Sequence, residues 1–60
     1  MTRNQIISKL KSIGCDETTY EDIKSYLRWN GWTLKNVTAI EEECENHCKL
    51  YVNHICIGII

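Results

Sequence analysis

Sixty residues with a formal net charge of −1, from seven basic and eight acidic side chains, make one domain with no electrostatic footprint for nucleic acid or an anionic membrane. At 43% hydrophobic and 25% charged residues the composition is globular rather than disordered. A chain this short buries only about 60% of its unfolded surface and leaves little material for a substrate-sized cleft, so a binding role stands ahead of catalysis.

Thr2 followed three residues later by Gln5 fits a capping box. Ile6, Ile7, Leu10 and Ile13 then recur at helical spacing, and Gly14 is a natural stop, which predicts a first helix over 3–13. Cys15 to Thr19 form a polar loop in which Thr18 with Glu21, or Thr19 with Asp22, can cap a second helix. Its apolar stripe is Tyr20, Ile23, Tyr26 and Leu27, and Asn30-Gly31 ends it. Trp32, Thr33 and Val37 have the spacing of a hydrophobic staple around an N-cap, so the Trp29-Asn30-Gly31-Trp32 corner is expected to launch another helix.

Beyond the corner, Leu34, Val37, Ile40, Cys44, Cys48, Tyr51 and Ile55 fall at steps of three and four, which predicts one long third helix over 34–56. Tyr51 to Ile60 is rich in β-branched residues and also fits extended chain. The fold class read from this pattern is all-α: a compact three-helix bundle with an extended third helix. One domain covers 1–60, with its core in 3–43 and a helical or apolar extension over 44–60. The expected core is Ile6, Leu10, Ile23, Leu27, Trp32, Leu34, Val37 and Ile40.

Four cysteines without a leader-like apolar run at the start are expected to be thiols in an intracellular protein, cytoplasmic or nuclear. Cys44, His47 and Cys48 would share one face of the third helix and are the candidates for a metal. No Cys-x-x-Cys knuckle accompanies them, and free cysteines at these positions read as small core residues, so no metal or cofactor is expected. Cys15 near the start of the second helix has no base identified beside it, and no enzymatic activity is expected. No segment has the length of a membrane span.

Leu10-x-x-Ile13-Gly14-Cys15, Leu27 with Leu34 and Val37, and the turn Asn30-Gly31-Trp32-Thr33-Leu34 resemble the ubiquitin-associated (UBA) and UBA-like three-helix family over residues 5–43. The resemblance implies a protein–protein interaction module in which Ile13, Gly14 and Cys15, with Ala39, Ile40 and Glu43 on the third helix, meet ubiquitin. Cys15 replaces an aromatic at those contacts, and Glu41 and Glu42 stand where leucines are common, so the implied affinity is weak. Trp29 beside Arg28 is a further candidate contact residue. The apolar C-terminal segment implies self-association, in the simplest case a homodimer. The alternative reading of the corner is a helix-turn-helix DNA-binding domain, against which Glu41, Glu42, Glu43 and Glu45 on the would-be recognition helix weigh.

Overall fold

The computed structural model describes all residues 1–60. Two helices, α1 (Arg3–Ser12) and α2 (Thr19–Trp29), are followed by a 3-10 turn (Leu34–Asn36) and three strands, β1 (Val37–Glu42), β2 (Cys48–Val52) and β3 (Ile55–Ile59). The strands form an antiparallel sheet in the order β1-β2-β3. The fold is therefore α+β, not an all-α three-helix bundle, and the long third helix expected over 34–56 is absent.

The helical half forms largely for the reasons its residues suggest, except that neither Thr18 nor Thr19 caps α2 with its side chain; the Thr18 amide instead donates to Asp16 Oδ1 (2.9 Å). The Gln5 amide donates to Thr2 Oγ1 (3.2 Å) and the Thr2 amide to Gln5 Oε1 (2.8 Å), closing the capping box of α1. Both helices end on the same device. Gly14 (φ +79°) and Gly31 (φ +75°) turn the chain left-handed, and the next amides reach back, Cys15 to Leu10 O (2.9 Å) and Trp32 to Leu27 O (2.8 Å). These are Schellman closures, in which glycine avoids the steric penalty of a Cβ at positive φ.

The Thr33 cap also forms, with its amide donating to Asn36 Oδ1 (2.9 Å), but what it launches lasts a single 3-10 turn. Val37-Thr38-Ala39-Ile40 follows as strand, because β-branched side chains fit a pleated surface better than a helix. A bulge at Thr38 shifts the β1–β2 register, so Val37 and Ile40, three residues apart, both face the helices. That offset imitates helical spacing. On β2, Cys48, Leu50 and Val52 alternate strictly inward.

Both helices cover one face of the sheet. Ile6 and Leu10 from α1, Tyr20, Ile23 and Leu27 from α2, and Cys15 between them pack on Val37, Ile40, Cys48, Leu50 and Val52. Trp32 and Leu34, expected in the core, lie at its margin, half-buried. Cys15 reaches the start of β2 with its thiol 3.6 Å from His47 O, and Tyr26 reaches β3 with its hydroxyl donating to Ile57 O at 2.7 Å. Hence the loop before α2 meets the Cys48 end of the sheet, and Tyr26 in the second half of α2 meets the middle of β3. No helix is long and apolar enough to cross a membrane.

Candidate functional site

The residues singled out in the sequence do not converge on one surface. Ile13 and Gly14 border a shallow hollow shared with Glu42, Cys44, Glu45 and Asn46 at the tip of the β1–β2 hairpin. Cys15 is buried beneath it. Ala39 lies on the opposite, helix-free face of the sheet, whereas Ile40, only 1% exposed, is packed under the helices. Glu43 sits in the hairpin with a carboxylate oxygen 3.3 Å from Lys49 Nζ. Trp29 is 88% exposed at the end of α2.

A UBA contact surface needs Ala39, Ile40 and Glu43 on one helix; here β1 sends Ala39 and Ile40 to opposite faces and Glu43 lies in the hairpin beyond it, and the three-helix family assignment fails with them. The recognition helix of a helix-turn-helix is missing for the same reason, since β1 stands in its place.

The metal candidates separate as well. Positions 44, 47 and 48 share a face only in a helix. In the hairpin, the Cys44 side chain is exposed, His47 Nδ1 lies 3.2 Å from Ile60 O, and Cys48 is fully buried. No three His, Cys, Asp or Glu side chains come together as a ligand set. Burial pushes the Cys48 thiol up to about 11, with the neighbouring Cys15 thiol adding to the shift. A thiol so held is neutral and a poor nucleophile.

The helix-free face carries two rows across the strands: Glu41, Lys49 and Ile59, then Ala39, Tyr51 and Cys56. Tyr51 donates to Glu41 Oε1 (3.0 Å), and that bond raises its phenol above the ordinary value. Lys49 is likewise raised by its hydrogen bond to the Glu43 carboxylate. Glu41 on β1 and Lys49 on β2 therefore have partners. Lys24 and Arg28 on α2 make no ion pair, and with Trp32 and Leu34 they line a groove of about 560 Å³ beside the corner.

The two edges of the sheet differ sharply. β1 ends in Glu41 and Glu42, carries the Thr38 bulge, and has its Val37 carbonyl (2.9 Å), together with that of Leu34 in the preceding turn (2.8 Å), occupied by the Met1 ammonium. Charge, a bulge and covered carbonyls are the usual ways of blunting an edge. β3 has no charged side chain from Ile55 to Ile60, and Ile55 and Ile59 are 67% and 56% exposed. No protein-family model, curated protein or solved structure matches this chain.

The hydrogen-bonding groups that β3 leaves free follow from its pairing. Cys48 and Ile60 exchange both N–H···O bonds (3.0 and 2.8 Å). Alternation then turns Gly58 toward β2 and the N–H and C=O of Ile59 away from it. At the other end, Asn53 and His54 (φ 51° and 65°) form a two-residue turn of type I′ between Val52 and Ile55. Ile55 therefore faces β2 and Cys56 faces away. A bulge at Ile57 absorbs the difference. The apolar stretch is visible in the sequence but its free side is not, because that side is defined by strand order.

Proposed function

We propose that this chain is a non-catalytic protein–protein interaction module that binds by accepting an added strand along the free edge of β3. The supporting observation is the contrast between the two edges: β1 is charged, bulged and tied at Val37 to the Met1 ammonium, whereas β3 presents unpaired backbone at Cys56 and Ile59 beside exposed isoleucines with no charge among them. Strand addition draws affinity from main-chain hydrogen bonds and specificity from the alternating side chains. An apolar, uncharged edge of this kind is a pairing template unless something covers it.

Amide hydrogen exchange tests this reading with an uncharged six-residue peptide of alternating threonine and valine as probe. With the chain dilute and the peptide at about 1 mM, a concentration suited to weak association, the amide of Cys56 or of Ile59 slows severalfold while those of β1 are unchanged. Exchange at Cys56 and Ile59 that is indifferent to the peptide overturns the reading.

A further inference from the structure

We infer that the strand that completes β3 is the β3 of a second copy, antiparallel and two-fold related. In this pairing Cys56 of each copy lies opposite Ile59 of the other. The inference rests on the edge reading above and names its partner.

The spacing of the free groups carries the argument. A regular strand offers outward N–H and C=O groups at every second residue. Here the bulge at Ile57 places them at Cys56 and Ile59, three residues apart. A regular partner strand that meets one of these positions misses the other. A second β3 running antiparallel has the same bulged interval, so both positions find partners at once, each pair exchanging two N–H···O bonds. The two-fold axis then passes between Ile57 and Gly58.

The side chains agree with this register. Cys56 stands across from Tyr51 and Ile59 across from Lys49, so both project from the helix-free face. As opposed residues on one face they come within side-chain contact, and the exposed Ile59 covers Cys56 of the other copy. One step outward, Ile55 falls opposite Ile60. Ile55 pairs with the inward Val52 and Ile60 with the inward Cys48, so these too share a face, the one under the helices. Two of the three large exposed apolar side chains, Ile55 and Ile59, are covered by one operation. A two-fold contact sets each charge near its own copy, and the absence of charged side chains over 55–60 removes that repulsion.

Sedimentation equilibrium on the reduced chain is expected to show dimers dissociating reversibly, with a Cys56→Pro variant dissociating at least ~100-fold more readily. Proline there removes an N–H that faces away from β2, so the monomer keeps its ladder and its far-ultraviolet spectrum. Ile59→Lys provides a second route, a charge set on the edge. Register is read separately: in a Cys44→Ser background, Ile59→Cys treated with oxidised glutathione crosslinks the copies through Cys56, and adding Cys56→Ser abolishes the crosslink. A chain that stays monomeric at about 1 mM overturns the inference. So does a dimer that neither Cys56→Pro nor Ile59→Lys weakens. If the threonine–valine peptide protects Cys56 or Ile59 while the chain remains monomeric, the edge reading stands and the second copy is excluded as its partner.

Discussion

Tyr26 and Gly58 fit against each other so closely that β3 has room for nothing but glycine at that point. A Cβ on Gly58 would lie 2.5 Å from Tyr26 Oη and 2.9 Å from Cζ, while the same hydroxyl donates to Ile57 O at 2.7 Å. The phenol thus holds α2 to the bulged strand and also fills the space that a side chain at 58 would need. Gly58→Ala must push the ring off the strand and break its hydrogen bond, and is expected to destabilise by about 1–3 kcal/mol. Tyr26→Phe, which loses only the bond, costs about 1 kcal/mol. The two sites couple: in a Tyr26→Ala background, Gly58→Ala has far less left to displace. Additive losses in a urea-denaturation double-mutant cycle would contradict the contact.

The β2–β3 hairpin turns on Asn53-His54, both at positive φ. Asparagine accepts that conformation well and histidine less so, while glycine adopts it freely. The His54 amide donates to Thr38 Oγ1 (2.9 Å), tying the turn to the bulge in β1, and glycine retains that donor. His54→Gly is therefore expected to stabilise the chain by about 0.5–1 kcal/mol, seen as a raised denaturation midpoint at unchanged slope. An unchanged or lowered midpoint would mean that the histidine ring contributes something its exposed position does not suggest.

The helical half was legible because its signals are local: the Thr2–Gln5 box, Gly14, Gly31 and the stripe Tyr20, Ile23, Leu27 all act within one turn of chain. The sheet was not, and particular residues show why. Val37 and Ile40 point the same way only because Thr38 is bulged against β2, and a bulge is defined by a partner strand that one-dimensional spacing does not contain. With that pair read as helical, Cys44 and Cys48 extend the pattern, and the true alternation of Cys48, Leu50 and Val52 is masked. Glu41, Glu42, Glu43 and Glu45 would crowd one stretch of helix, whereas the hairpin spreads them over a strand end and a turn. The candidate edge was half legible. Its apolar character is local, but its free side depends on strand order.

Trp29 and Trp32 stand at one corner with opposite environments. Trp29 is 88% exposed, whereas Trp32 packs against the core and walls the groove with Leu27 and Leu34. Trp29→Ala is expected to change stability by no more than about 0.5 kcal/mol, and Trp32→Ala to cost about 2 kcal/mol. Fluorescence separates them: the emission left in Trp29→Phe is blue-shifted and shielded from iodide, and that left in Trp32→Phe is red-shifted and quenched. A substantial loss of stability in Trp29→Ala would show that its indole supports the fold.

Cys48 gives the fold a titration in the alkaline range. Its thiol is pushed from the ordinary 9.0 up to about 11, chiefly because it is buried and secondarily by the adjacent Cys15 thiol. The folded state thus prefers the neutral thiol more strongly than the unfolded chain does. That stabilisation is fully present below about pH 9, the unfolded thiol's value, and is lost as the pH rises through the folded value. A shift of this size corresponds to about 2–3 kcal/mol. Lys49 and Tyr51, also raised, lose stabilisation in the same direction, but both titrate in water and contribute less. Urea denaturation between about pH 8 and pH 11 is expected to show the midpoint falling in the wild-type chain and the decline much reduced in Cys48→Ala. The variant starts from a lower midpoint because of its cavity, so the slope against pH, not the absolute value, is the measurement. Equal slopes in the two chains would show that Cys48 ionises as readily in the fold as outside it.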